Sequence, residues 1–221
     1  MGFIASIAAV SALGLTAAFT LGGFSAGISN SSSTFSSATV QLEEGNGTTT
    51  CYSTGTGSGG TVTSSNTDSC TGINVLTGTL DQVPGGGALT TTITLTNVGN
   101  HTPSTASLVV GSCTAGNASD NNGYEGSDTS GFCGEVDVTI ANTTASPPDA
   151  CVYPTQSAAC PSLSSSYTLA GLAGNTYSAP LSLPAGGTSA TYVIKAQLDA
   201  SATNADQGLT ATVPFTWSIS Q

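Results

Sequence analysis

Positive charge is almost absent from this 221-residue chain. Lys195 is the only Lys or Arg, set against 12 acidic residues, and the net charge is −11. A chain with one such cation cannot neutralise a phosphate backbone by counterion release, which excludes nucleic acid as a partner. Anionic membrane surfaces attract clusters of Lys and Arg, so we expect contact with a membrane only during export.

Residues that carry catalysis or bind metals are equally scarce. His101 is the only histidine, and neither HExxH nor CxxC occurs in the chain. The stretch 23–27 matches the GxSxG pattern of hydrolases, but the helix and the late histidine that this motif requires are missing. The oxygen-rich stretch 120–128 lacks the glycine spacing of an EF-hand calcium loop. The sequence therefore predicts no enzyme, no metal site and no cofactor.

Six cysteines form three neighbouring pairs along the chain: Cys51 and Cys70, Cys113 and Cys133, Cys151 and Cys160. Six cysteines allow 15 connectivities, and sequence alone does not choose among them. We favour neighbour pairing because each pair brackets a stretch rich in Gly, Ser or Asn. Disulfides predict an oxidising, extracellular location, and the alternative is free thiols in a reducing compartment.

Glycosylation is a further prediction of an extracellular location. Five Asn-X-Ser/Thr sequons occur in the chain, at Asn30, Asn46, Asn100, Asn117 and Asn142. Such sequons are acceptors for N-linked sugars when the chain is exported past the required machinery. Sugars would also help to keep a chain with so few charges in solution.

The first 30 residues form a segment distinct from the body of the chain. No charged residue precedes Glu43, and Met1 to Gly23 is apolar or small throughout. A cleaved signal peptide is one interpretation, although the basic N-terminal region of such signals is missing. An N-terminal helix like that of a type IV pilin is a second, although residue 5 is Ala and not acidic.

A strand donated to another subunit is the third interpretation of this segment. Apolar residues alternate with Thr, Ala and Gly in the period of two that is typical of strands. The expected anchors lie in two successive phases of this alternation: Leu15, Ala17, Phe19, Leu21, then Phe24 and Ile28.

Residues 31–221 are predicted to form a single β-sandwich domain. Alternating apolar positions begin at Leu89, Val136, Tyr192 and Leu209, and turn-rich stretches separate them. Such one-sided strands need a second sheet to cover the apolar face, which predicts two packed antiparallel sheets. Pro214 lacks an N–H, so the last strand is expected at an edge or with a bulge. Because charges that usually blunt an edge are missing, we expect a partner to occupy it.

Three stretches resemble segments of the TasA/camelysin-like family of secreted fibre proteins. They are Phe24-Ser25 followed by 34–42, then 84–99, and finally 183–194 with 204–208 and the last strand. Together they cover about a third of the chain in the same order as in the family. The resemblance implies a jelly-roll-like sandwich, exported to the cell surface, whose relatives assemble when an N-terminal strand completes the next subunit's sheet. The regions around 45–72 and 112–160 depart from simpler members and are expected to be surface loops tied by disulfides.

These observations predict a subunit of an extracellular filament that serves adhesion, bundling or biofilm formation. The expected partner is another copy of the chain, bound through strand exchange, with lateral bundling between filaments. Two alternatives stay open: a monomeric surface module that binds a glycan or receptor, and a type IV pilin-like subunit.

Overall fold

The structure is a computed structural model, and it describes residues 39–55, 66, 68–70, 72–76, 82–118, 123, 125–144, 150–156, 159–178, 183 and 185–220. The predicted donor segment at 15–28, the GxSxG stretch and the Asn30 sequon all lie outside these residues.

Eleven strands form in the described part of the chain, and each pair of them is antiparallel. Their bounds are β1 Leu42–Gly45, β2 Thr50–Tyr52, β3 Leu89–Asn97, β4 Thr105–Val110, β5 Thr114–Asn117, β6 Val136–Asn142, β7 Ala150–Tyr153, β8 Thr176–Ser178, β9 Thr188–Leu198, β10 Leu209–Thr212 and β11 Phe215–Ser220. One short helix, α1, spans Leu169–Leu172, and two 3-10 turns span Phe132–Gly134 and Asn204–Asp206.

The strands form three sheets. The largest has six strands in the order β2-β1-β3-β9-β6-β7, and the others have the orders β11-β4-β8 and β10-β5. Side chains of the six-stranded and three-stranded sheets pack face to face, with the rings of Tyr192 and Trp217 in contact at 4.5 Å between centroids. The all-β sandwich predicted from the sequence is confirmed. Its jelly-roll connectivity stays a prediction.

The core lies along β3 and β9, where the predicted alternation holds. Ile93 pairs with Tyr192 across the ladder, and both side chains are fully buried. Their strand neighbours Thr92 and Val193 face the other side of the sheet, because successive residues of a strand point to opposite faces. Each fully buried large apolar side chain contributes about 1.5–3 kcal/mol, so this central pair of strands stabilises the fold most.

The region 112–160 is not a surface loop, and that prediction is wrong. It contains β6, which lies between β9 and β7 in the six-stranded sheet. Val138 and Ile140 on β6 are fully buried. The stretch 45–72 likewise contributes β2, the edge strand beside β1. Disulfides in both regions therefore tie structure that belongs to the sheet, in addition to loops.

Pro214 divides what the sequence predicts as one terminal strand into two. β10 pairs with β5 and β11 pairs with β4, so the chain passes from one sheet to another at Val213 and Pro214. Proline cannot donate to a ladder, which is why the pairing changes here. Its carbonyl still accepts a hydrogen bond from the Gly111 N–H, at 2.8 Å. Among the described strands, β11 is the outermost of its sheet, which agrees with the predicted edge.

Candidate functional site: an open groove between the sheets

An open groove of about 1360 Å³ lies between the inner face of the six-stranded sheet and the segment formed by β10 and β11. Small-molecule pockets usually have volumes of about 300–1,000 Å³. The groove is larger, and residues of strands line both sides of it. Its volume leaves room for a segment of peptide.

Apolar side chains lie on both walls of the groove, among polar ones. Leu42, Leu89 and Ile194 line the wall formed by the large sheet, and Phe215 and Trp217 line the wall opposite. Phe215 packs against the core but is only partly buried. Apolar side chains left half-covered on the inner side of a sandwich are favourable contacts for an apolar occupant.

One edge of the groove is a strand edge with unpaired backbone groups. In an antiparallel ladder, successive residues direct their backbone groups alternately toward the partner and away from it. The Pro214 carbonyl points toward β4, so the backbone N–H and C=O groups of Thr216 and Ser218 also point toward β4. Phe215, Trp217 and Ile219 therefore direct their N–H and C=O groups away from β4. Among the strands that the structure describes, β11 pairs with β4 alone.

A disulfide closes the rim of this groove. Cys51 on β2 is bonded to Cys70, with 5.7 Å between their Cα atoms, and both residues line the groove. Ile73 and Val75, just beyond the disulfide, pack against the core while staying partly exposed. The cross-link restrains this rim loop and so preserves the shape of the groove.

Polar side chains such as Thr91, Asp206 and Thr210 also line the groove, and two of its polar groups lie near each other. Glu44 on β1 and the indole of Trp217 both line the groove. Burial raises the pKa of Glu44, and the nearby Trp217 indole lowers it by a smaller amount. The Trp217 Nε1 atom is buried and has no hydrogen-bond partner. A donor and an acceptor thus lie near each other without a hydrogen bond between them.

The other two disulfides join Cys113 to Cys133 and Cys151 to Cys160. Together with the rim disulfide, these pairs coincide with the neighbour pairing that the sequence favours. Three disulfides are typical of chains that fold in an oxidising environment.

The predicted sequons differ in accessibility. Asn100 and Asn117 are exposed, and Asn46 is half-exposed in a turn where its Oδ1 accepts the Thr49 N–H at 2.9 Å. Asn142 is only 1% exposed, and its Oδ1 accepts the Thr144 N–H at 2.9 Å. The buried Asn142 side chain leaves no room for a sugar in the folded chain, whereas glycosylation at Asn46, Asn100 and Asn117 stays a prediction.

A buried carboxyl lies away from the groove, on β6. Asp137 is 5% exposed, and its Oδ1 has no hydrogen-bond partner. Burial raises the pKa of Asp137 to about 6, and the neighbouring carboxylates of Asp199 and Glu135 add to this effect. No group of three His, Cys, Asp or Glu side chains in the described residues is arranged to hold a metal ion.

Asp137 makes a testable contribution to the pH dependence of stability. Because its pKa is about 6 in the fold against 3.8 for an ordinary Asp, the folded state binds a proton that the unfolded state has lost in this range. Its contribution to stability is therefore full below pH 3.8 and is lost as the pH rises through about 6. We expect Asp137→Asn to raise the free energy of unfolding at about pH 7 relative to about pH 4.

Urea unfolding of both proteins across this pH range measures the effect. Glu125→Gln is the matched control, because it removes the same charge from an exposed position. The prediction would be contradicted if the free energy of unfolding varied with pH in the same way for Asp137→Asn and for Glu125→Gln.

The remaining candidates from the sequence are not brought together. His101 is exposed in the loop after β3. The acidic residues Glu125 and Asp128 of the oxygen-rich stretch belong to no metal-binding group among the described residues. A search of these same residues for a long apolar helix able to cross a membrane finds none.

Comparison with models of protein families and with curated proteins finds no match to this chain.

The groove itself was not predicted from the sequence. The sequence did predict the edge at Pro214, but it did not identify Glu44 and Trp217 as a polar pair. One signal for Glu44 exists: it lies two residues after Leu42, so it shares the face of β1 on which Leu42 is buried. A charged residue on the same strand face as a core residue is unusual, because charged side chains are seldom buried.

Proposed function

We propose that this protein is the structural subunit of an extracellular filament. The N-terminal segment of one copy, within residues 15–28, enters the open groove of the next copy and pairs with β11. The observation that carries the proposal is a groove with apolar side chains on both walls, bordered by β11, which pairs with β4 alone among the described strands. Fourteen residues of extended chain measure roughly 45 Å, which exceeds the roughly 20 Å of the six-residue strand β11.

Strand addition supplies affinity from two sources. The N–H and C=O groups of Phe215, Trp217 and Ile219 that point away from β4 form hydrogen bonds with the main chain of the incoming strand. Every second side chain of that strand enters the groove. Phe and Leu anchors contribute about 1.5–3 kcal/mol each before the entropy of ordering the strand is subtracted. Several such anchors make a slowly dissociating junction.

The contact joins two different surfaces of the same chain, a donor segment and an acceptor groove. Contacts of this kind are heterologous, and they extend into open filaments unless the rotation between subunits closes a ring. The resemblance to the TasA/camelysin-like family supports the same assembly, and the three disulfides support an extracellular location.

Lateral bundling of filaments is a second part of the proposal. The outer face of the β11-β4-β8 sheet carries hydroxyl groups, and Ser107 and Ser218 are hydrogen-bonded across it at 2.8 Å. This face holds no charge along its strands, so neighbouring filaments would approach there without repulsion despite the strong net charge.

Two complementary variants test the proposal. Phe24→Asp places a charge on the donor, and Val213→Asp places one in the groove that Val213 lines. We expect neither variant to form filaments, because each junction would bury an unpaired carboxylate. Mixed together, the two should form dimers, since the intact donor of one fits the intact groove of the other. Electron microscopy and sedimentation distinguish filaments, dimers and monomers.

Ser25→Asp is the matched control for the donor, because Ser25 is adjacent to Phe24 and faces the opposite side of an extended strand. It should still assemble, and thermal unfolding should show that every variant is folded. Dispersed wild-type particles would contradict the proposal and favour a monomeric binding module. Helical density for the N-terminal segment in cryo-electron microscopy of filaments would favour a pilin-like subunit.

A further inference from the structure

Glu44 occupies a position where the sandwich would normally place an apolar residue. On β1 it pairs with Leu95 of β3, which is 1% exposed, and it shares its face with Leu42, which is 8% exposed. Its neighbour Glu43 faces the other side of the sheet, because strand residues alternate. The Glu44 side chain therefore points toward the inside of the sandwich and lines the groove.

No cation among the described residues neutralises this carboxylate. Lys195, the only Lys or Arg of the chain, is exposed on β9, next to the buried Ile194. Ile194 lines the groove, so Lys195 lies on the opposite face of the same sheet. The segment proposed to dock offers no cation either, because residues 1–42 contain no charged side chain.

The groups around Glu44 also supply no compensating charge. On the opposite wall, the Trp217 indole is 9% exposed, stacks on Tyr192 and has an Nε1 atom without a partner. The other titratable residues that line the groove are Tyr52, Asp68 and Asp206. None of these is positively charged. The Trp217 indole favours the ionised form of Glu44, but burial disfavours that form by more.

We propose that Glu44 determines which strands the groove accepts: an uncharged strand docks with the Glu44 carboxyl protonated, so homotypic docking takes up a proton. The inference rests on the proposed function. An occupant that carries no cation removes the remaining water from Glu44 and provides no countercharge. The protonated Glu44 carboxyl requires no countercharge. Its carbonyl oxygen can accept a hydrogen bond from the unpartnered Trp217 N–H.

The direction of the pH effect follows from this uptake. Burial already raises the pKa of Glu44 in the free groove, and docking of an apolar strand raises it further. The junction is therefore strongest at acidic pH and weakens as the pH rises through the window between these two pKa values. Uptake of one proton changes the critical concentration for assembly by up to about tenfold per pH unit within that window.

Full-length wild-type, Glu44→Gln and Glu43→Gln proteins test the inference. The critical concentration for filament formation is measured by sedimentation across acidic to neutral pH. We expect wild type and Glu43→Gln to show the same rise with pH, and Glu44→Gln to show a smaller one and to assemble at lower concentration near neutrality. Glu43→Gln removes the same charge one residue away, so it corrects for the net charge of the chain.

Glu44→Leu provides a second variant with no ionisable group and should behave like Glu44→Gln. Filaments from all four proteins with identical pH profiles would overturn the role of Glu44 and leave strand docking intact. No filaments from any of them at any pH would overturn strand docking itself, and the inference with it. Thermal unfolding confirms that each variant is folded before either conclusion is drawn.

Discussion

Replacing Tyr192 by Ala is expected to lower the free energy of unfolding by about 3–5 kcal/mol. Tyr192 is fully buried at the centre of β9, where it pairs with Ile93. Its ring also contacts Trp217 of the facing sheet, 4.5 Å away between centroids. The substitution leaves a cavity at the contact between the two layers, which the surrounding strands cannot close without losing their register.

The size of this effect is large against the total stability of a domain, about 5–15 kcal/mol. Urea denaturation followed by tryptophan fluorescence measures it, because Trp217 is the only tryptophan and reports directly on the contact. Val193→Ala is the matched control on the same strand, since Val193 faces away from the core and is half-exposed. If Tyr192→Ala lowers the free energy of unfolding no more than Val193→Ala does, the contact at Tyr192 does not hold the two sheets together.

Replacing Gly99 by Ala is expected to cost about 1–3 kcal/mol, because the added methyl group overpacks a backbone contact. An added Cβ would meet the Thr39 carbonyl oxygen and lie 2.8 Å from the Gln41 N atom. Backbone atoms cannot move aside as a flexible side chain does. The chain at 39–41 must therefore separate from the turn at 98–100.

Two backbone hydrogen bonds hold these segments together, from the Val98 N–H to the Gln41 carbonyl and from the Asn100 N–H to the Thr39 carbonyl, each 3.0 Å long. Their loss would loosen the start of β1, which carries Glu44 into the groove. We expect faster hydrogen exchange of the β1 amides in Gly99→Ala, along with a lower melting temperature.

Gly87→Ala is the control for this prediction. An added Cβ at Gly87 would meet nothing within 4 Å, and so its effect on stability should stay within about 0.5 kcal/mol. Equal exchange rates at β1 in the two variants would contradict the proposed clash at Gly99.

Local pattern was enough to predict much of the fold. Thr and apolar residues alternate over 89–97 and 188–198, and these stretches became β3 and β9 because period-two amphipathicity suits one buried face. The neighbour pairing of cysteines was favoured because each pair brackets a stretch rich in Gly, Ser or Asn, which is typical of a loop.

Features that depend on contacts between residues distant in sequence could not be predicted from local pattern. The region 112–160 was expected to be a surface insertion because it departs from simpler members of the family that the chain resembles, although the alternation from Val136 predicted a strand within it. Burial of Val138 and Ile140 depends on β9 and β7 on either side of them, and those strands are distant in sequence or separated by a turn-rich stretch. Local pattern therefore predicted β6 as a strand, but its position between β9 and β7 is set by its partners.

By itself, the sequence determined the class of this protein: an all-β chain, nearly without cations, with paired cysteines and an uncharged apolar start. These properties depend on side-chain chemistry and on spacing within a few residues. Only the tertiary structure decided that β11 pairs with β4 alone among the described strands, that a groove with apolar side chains on both walls borders it, and that Glu44 and Trp217 lie near each other there. Those facts depend on which strands pair and which faces meet, and contacts between residues 44 and 217 are fixed by the packing of the whole sandwich.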